Sequence, residues 1–576
     1  MRPRRITAVL AAVALTALAM LTGAAPGSAS GGYRAITGSG STWSANIIAQ
    51  WVSDVRQNQG IPVSFSATGS TAGRNEFRNG TVDFAVSEIP YGLRDAQGTP
   101  DTLPSRGFAY LPIVAGGTSF MYNLVIQGNR VTNLRLSGET VARIFTGQIT
   151  RWNDPAIQED NPNLALPDRA VVPVVRSDGS GTTAQFTTWM LKQHPQVWND
   201  FCRRQGISFS GSCPFTSFYP TAQGFIAQAG SLGVSGYVAQ PTAEGAITYV
   251  EYSYAVRNRF PVAKVRNASG YYAEPTDQNT AVALLKARIN DDRGNPDVYL
   301  TQILDDVYTD PDRRSYPLSS YSYMIIPTAE GGTFRADKGR TLGDFLTYAL
   351  CEGQQQASVL GYSPLPQNLV QAGFDQIRQI PGAQVERLDL AQCNNPTFGG
   401  GRNLLAETAP QPPDCDRAGP VQCQSGTGGA RQDTPVSRGS SGGSGGGGGG
   451  DGGGDGGGGA GGGGAGGGGG AGGGAGEGGA PGGDPTAAAD PSAAAAPVGA
   501  VVDPETGELV DPATGEPAGG TGAGGAQVVA GQAVNAPSGS GWTTEHTLMV
   551  LSGLALLAAT VGPPLVARRL TDRGTS

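Results

Sequence analysis

From Gly439 to Gly483 the chain has 33 glycines in 45 residues, and no Phe, Tyr or Trp occurs between Phe398 and Trp542. A stretch with so little apolar surface cannot bury enough to offset the entropy of ordering it. It separates a body able to hold a hydrophobic core from a C-terminal part that must serve another purpose. Residues 425–543 read as a disordered linker of Gly, Ala, Pro and acids; a flexible chain of about 119 residues has an r.m.s. span on the order of 60 Å. Within it Val-Asp-Pro-x-Thr-Gly-Glu occurs twice, from Val502 to Glu508 and from Val510 to Glu516. Two copies are read as spacer in preference to a recognition element.

Charge follows the same division. Residues 424–541 carry eleven acids against Arg431 and Arg438, a net of -9, so with a chain total of -8 everything else sums to +1. No Lys/Arg run occurs beyond the first five residues, and nucleic acid is not expected as a partner. Only two histidines exist, His194 and His546. A His-based zinc site, a His-containing catalytic triad and a haem-type site are close to excluded, and no metal or cofactor is expected.

Both ends read as membrane-directed. Arg2, Arg4 and Arg5 precede an apolar run from Ile6 to Leu21 and the small residues Gly27-Ser28-Ala29-Ser30, the pattern of a secretory signal over residues 1–30. Residues 548–567 hold no charge and are followed by Arg568, Arg569 and Arg573. That pattern predicts a transmembrane helix with 568–576 as a cytoplasmic tail. The body is then expected on the extracellular face of the membrane. In an exported chain the six cysteines suggest three disulfides. Neighbour pairing is expected: Cys202 with Cys213, Cys351 with Cys393, and Cys415 with Cys423, the last in an exit segment over 406–424.

Between Tyr33 and about Leu405 strand-like alternation gives way repeatedly to helical periodicity, as in an α/β protein. Ile61 to Thr68 alternates through Val63, Phe65 and Ala67. From Trp43 the residues Ile47, Ile48, Trp51, Val52 and Val55 fall at helical spacing, with Ser41 or Thr42 as the expected N-cap. Val171 to Val175 is an apolar run suited to a buried parallel strand, and a helix over Thr182 to Gln193 turns Phe186, Trp189 and Met190 inward.

Three Gly/Ser/Thr loops stand where helices should begin: Gly38-Ser39-Gly40-Ser41-Thr42-Trp43, Thr68-Gly69-Ser70-Thr71-Ala72-Gly73, and Arg176-Ser177-Asp178-Gly179-Ser180-Gly181-Thr182-Thr183. Helix N-termini present free N–H groups and a positive dipole end, so such loops suit an anion. In the third, the Arg176 guanidinium can grip a tetrahedral oxyanion through two parallel bonds, with Asp178 holding it in place. A structural Arg–Asp pair is the plainer alternative.

These loops belong to an ordered set of motifs. Val82 to Pro90 (VDFAVSEIP), Ile144 to Asn153 (IFTGQITRWN), Val174 to Thr182 (VVRSDGSGT) and Ile247 to Ala255 (ITYVEYSYA) accompany the first two loops. Together, from Tyr33 to about Phe374, the chain resembles the phosphate-binding proteins of high-affinity phosphate ABC transporters. The resemblance implies a type II periplasmic-binding-protein fold: two α/β lobes joined by a hinge, with phosphate in the cleft between them. Lobe 1 is expected over about 33–115 plus 327–405 and lobe 2 over about 116–326. The ligand set it implies is Thr42 and Trp43 from the first loop, the latter through its backbone N–H, Ser70 from the second, and Arg176, Ser180, Gly181 and Thr182 from the third.

Glu88 stands where the family pattern Ser-Asp-x-Pro has aspartate. A carboxylate beside a dianion makes sense once the proton is counted. HPO4(2-) still has an O–H to donate, whereas sulfate has none and would set two negative groups together in a dry cleft. The expected role is a binding protein, not an enzyme, passing inorganic phosphate to ABC permease subunits. Two other readings compete: a tethered surface sensor, store or adhesin with the same fold, and a surface phosphomonoesterase with Ser70 or Ser180 as nucleophile. The last lacks a nearby group to activate the serine.

Overall fold

The computed structural model describes residues 32–92, 101–295, 297–385, 389 and 392–434, with the backbone of 501–502 and 509–510. The signal segment, the apolar stretch 548–567, the tail after it and most of the linker lie outside the described residues. Among the described residues no helix is long and apolar enough to cross a membrane.

One strand organises the body. Strand β4, Phe108–Tyr122, is buried along its whole length, as a continuous run flanked on both sides must be. Its first part pairs antiparallel with β9 (Ser319–Pro327), from Pro327 opposite Phe108 to Ser319 opposite Gly117. From Thr118 to Tyr122 it pairs instead with β7 (Ala246–Glu251). The switch falls at Gly116 and Gly117, where side chains have no room: a Cβ on Gly116 would lie 2.7 Å from the Trp43 ring, and one on Gly117 2.4 Å from Pro275.

On one side of this switch the order is β2 (Val63–Ser66), β1 (Ile36–Gly40), β3 (Phe84–Ser87), β9, β4. On the other it is β4, β7, β5 (Val172–Arg176), β6 (Ile226–Gln228), with β8 (Val262–Arg266) also against β4. The β2–β1–β3 and β7–β5–β6 groups are each parallel, and β5 is the buried parallel strand expected over Val171 to Val175. These are the two expected lobes. Strand β9 pairs with β4 from Ser319 and with β3 from Tyr323.

Helices follow the parallel strands, so strand C-termini and helix N-termini meet at one level, where open α/β sheets bind ligands. Helix α1 (Ala45–Gln59) follows β1, α2 (Ser70–Asn79) follows β2, α3 (Gly181–Gln193) follows β5, and α4 (Gly230–Val238) follows β6. Helix α1 buries Ile47, Ile48, Trp51 and Val55 as its spacing requires. Its flanking residue is Ser44, without a side-chain cap bond; neither Ser41 nor Thr42 caps it, because both hydroxyls are engaged in the cleft.

All three neighbour disulfides are present. Two of them mark a route from lobe 1 to lobe 2. After Cys393, joined to Cys351, Thr397 Oγ1 donates to Leu365 O at 2.8 Å. The chain then lies along lobe 2. There Arg135 Nη1 donates to Val421 O at 2.9 Å, Asn133 Nδ2 to Cys423 O at 2.7 Å, and Lys264 Nζ pairs with Asp416 at 2.7 Å. Residues 425–434, assigned by composition to the linker, belong to this packed segment: Thr427 and Ala430 are buried, and Thr132 Oγ1 donates to Gln432 O at 2.7 Å. Further along the chain, the backbone of Val501–Val502 pairs antiparallel with that of Leu509–Val510.

Candidate functional site

The three loops and Glu88 come together between the lobes. Glu88 follows β3 and is buried. Its Oε1 accepts from Ser41 Oγ and, at 3.0 Å, from Ser322 Oγ on β9; its Oε2 accepts from Ser70 Oγ at 2.8 Å. Its backbone carbonyl accepts from Gln185 Nε2 at 2.8 Å and from Gln302 Nε2 at 3.1 Å. Burial pushes the carboxyl above the usual carboxylate range, opposed by the hydroxyls of Ser41, Ser70 and Ser322.

Across the cleft Arg176 ends β5 and is also buried. Its Nε donates to Asp178 Oδ1 at 2.7 Å and its Nη2 to Asp178 Oδ2. Of five guanidinium N–H groups, two are spent on this fork and three remain, on Nη1 and Nη2. Nη1 lies 3.5 Å from Ser231 Oγ. The Arg176 N–H is held by Tyr249 Oη at 3.3 Å, part of an aromatic cluster with Phe145, Phe186 and Tyr219. Burial pushes the Asp178 carboxyl up, but its bonds and charge contact with Arg176, with the Gly230 N–H, outweigh this and leave it below the usual range.

Gly181 and Thr182 open α3, where backbone N–H groups have no intrahelical acceptor. Ser180 caps the helix, accepting from Thr183 N–H at 3.2 Å, which leaves its hydroxyl proton free to donate. Among the described residues the buried Thr182 Oγ1 has no hydrogen-bond partner. Gly181 sits against Glu88: a Cβ there would lie 2.1 Å from Oε2 and 2.7 Å from Ser70 Oγ.

The lobes touch around these groups. Thr71 N–H donates to Gly179 O at 3.1 Å, Ser231 N–H to Thr42 Oγ1 at 3.1 Å, and Thr42 Oγ1 lies 2.9 Å from Ser231 Oγ. The Trp43 N–H donates to Ser41 Oγ at 2.9 Å, and its ring is buried beneath Gly116. The loops that carry Thr42, Trp43, Ser70, Arg176, Ser180, Gly181 and Thr182 thus pack against one another and around Glu88, with Asp178 on Arg176. Sequence reasoning missed Ser41's bond to Glu88, and with it Ser322, Ser231, Gln185 and Gln302. His194 lies apart, packed on Trp189 and Gly138, with burial lowering its imidazole to about 4.

The model of the PBP superfamily domain matches residues 23–352, more than half of the chain. The phosphate-binding protein PstS of Pasteurella multocida is 31% identical over 339 residues, spanning 58% of this chain and 88% of the relative. The chain belongs to the PstS phosphate-binding-protein family. Another PstS, from Methanocaldococcus jannaschii, is 27% identical over 348 residues, covering 59% of this chain and 85% of its own. The crystal structure of PfluDING, a periplasmic phosphate-binding protein bound with phosphate, aligns with a TM-score of 0.44 at 18% identity, over 62% of this chain and 100% of its own. The Glu88 side chain reaches the hydroxyls of Ser41 and Ser322 with Oε1 while keeping Oε2 at Ser70.

Proposed function

We propose that the chain captures inorganic phosphate outside the membrane, by closing its two lobes, and delivers it to an ABC-type importer. One observation carries this reading. A guanidinium, a helix N-terminus and a carboxylate converge in a single buried cleft of a PstS-family protein. In this reading the free N–H groups of Arg176, the backbone of Gly181 and Thr182, the backbone N–H of Ser70 at the start of α2, and the hydroxyls of Thr42, Ser180 and Thr182 donate to the phosphate oxygens, while the Ser70 hydroxyl stays on Glu88 Oε2. The Trp43 N–H joins them by sharing its bond with Ser41 Oγ. Glu88 accepts the one proton that HPO4(2-) carries, and Asp178 fixes the guanidinium without facing the ligand. Calorimetric titration of the exported chain tests this: phosphate and arsenate bind, sulfate does not. Sulfate bound as tightly as phosphate contradicts it.

The apolar stretch 548–567 supports the further reading that the body is held at the outer face by a tether, which would leave the folded body from lobe 2 after residue 434. The chain then fractionates with membranes, and a version ending at Gly541 appears in the medium; full-length chain found wholly in the medium contradicts the anchor. The same tether favours a second role, as a surface sensor or store. Phosphate uptake that depends on this chain separates delivery from storage.

A further inference from the structure

The cleft holds three serines on one carboxylate, and their hydrogen bonds are not interchangeable. Ser41 Oγ accepts the Trp43 N–H at 2.9 Å, so its single proton is directed to Glu88 Oε1. Ser322 Oγ donates to the same oxygen at 3.0 Å and lies 3.1 Å from Ser44 Oγ. A carboxylate oxygen offers two acceptor positions, and on Oε1 both are taken. Oε2 accepts only from Ser70 among the described residues, and it is the oxygen that lies against Gly181 at the start of α3. One acceptor position is left on Oε2, the oxygen on the Gly181 side.

We propose that Ser41 and Ser322 are specificity-determining positioning residues: by filling Oε1 they keep Glu88 an acceptor with one vacancy, so that the cleft takes a protonated oxyanion and refuses a fully ionised one. This deepens the phosphate reading and rests on it. With a hydroxyl removed, the carboxyl loses a donor that favours its charged form, and a neutral carboxyl can present an O–H at Oε2 to sulfate. The nearby charged and titratable groups are engaged with other partners. Arg74 on α2 is paired with Asp101 at 2.9 Å, Arg176 is paired with Asp178, and Tyr323 on β9 is buried and accepts from the Gln302 N–H. Ser322 is the cleaner site to test, since Ser41 also supports the first loop.

The test is competition between phosphate and sulfate on the full exported chain as pH is lowered from about 8 to about 5, for wild type, Ser322→Ala, Ser41→Ala and Ser322→Thr. Ser322→Ala and Ser41→Ala should each lower the phosphate-to-sulfate affinity ratio by about tenfold or more. Their sulfate affinity should rise with falling pH from a higher pH than in wild type, and Ser322→Thr, which keeps the hydroxyl, should restore the wild-type profile. If wild type selects phosphate and Ser322→Ala selects it equally at every pH, this inference is overturned alone. If wild type binds neither anion, the phosphate reading falls and this one with it. Should Ser41→Ala fail to fold, the Ser322 pair decides the matter.

Discussion

The two walls of the cleft fix their charged groups by opposite means. On the lobe 2 wall, Arg176 is held by a second charge, the forked carboxylate of Asp178. On the lobe 1 wall, Glu88 is held by neutral hydroxyls from Ser41, Ser70 and Ser322. The fork with Arg176 holds the Asp178 carboxyl below its usual range. Among the described residues Glu88 is held by hydroxyls and no cation, and burial raises it. One wall therefore favours the charged form of its carboxylate, while the other favours the protonated form. That division matches a ligand whose charge is common to many oxyanions and whose proton is not.

The largest expected effect comes from emptying the charged wall. Arg176→Ala removes the cleft's guanidinium and leaves Asp178 unpaired, so phosphate binding should weaken by about 3–5 kcal/mol while the fold persists. A variant within about threefold of wild type would take Arg176 out of the site. Next, Asp178→Asn keeps the guanidinium and loses the charge that orients it, which should cost about tenfold in affinity, on the order of 1.4 kcal/mol. Tighter binding would mean that Asp178's charge repels the ligand more than its fork organises Arg176.

The walls should also part company with pH. Because Asp178 is lowered in the folded state, the stability it contributes is present above the ordinary Asp value and is lost only as pH falls through its lowered one. Glu88 is raised, so it takes up its proton first. Sulfate affinity, which does not titrate on the ligand side in this range, should therefore rise as pH falls through the raised Glu88 value, before the Asp178 contribution is lost. A flat sulfate profile down to acid unfolding would break the contrast. The smallest effect is expected at Thr182, whose buried hydroxyl has no hydrogen-bond partner among the described residues. Thr182→Val should weaken phosphate binding by under about 1 kcal/mol and leave thermal stability equal or slightly higher, since an unsatisfied buried hydroxyl is removed.

Much of this cleft was legible in the sequence because its parts are local. Each Gly/Ser/Thr loop before a helix announces free N–H groups, and Arg176 and Asp178 are two residues apart. The neighbour disulfides were legible from spacing in the same way. Ser322 was not: it lies 234 residues from Glu88 and reads as an ordinary strand residue. The first loop misled for a related reason. A serine before a helix suggests a cap, but the Ser41 proton goes to a carboxylate 47 residues away. Residues 425–434 look like linker by composition, yet their backbone finds partners on Thr132 and their Thr427 hydroxyl lies in lobe 2. Composition reports what a segment can bury, not which groups elsewhere satisfy its backbone. The start of β9 at Ser319 was hidden likewise, since its small and aromatic residues are all buried and show no alternation.

The central claim, that the cleft reads a proton through Glu88, is tested most directly by Glu88→Gln. Its affinities for phosphate and sulfate would be measured by calorimetry beside those of wild type and of Glu88→Asp. An amide can turn its N–H2 toward a fully ionised oxyanion, so Glu88→Gln should keep phosphate and gain sulfate, and the affinity ratio should fall by about tenfold or more. Glu88→Asp, which keeps a carboxylate, should keep wild-type selectivity. A Glu88→Gln chain with an unchanged phosphate-to-sulfate ratio would contradict the account, because the carboxylate would then not be reading the ligand's proton.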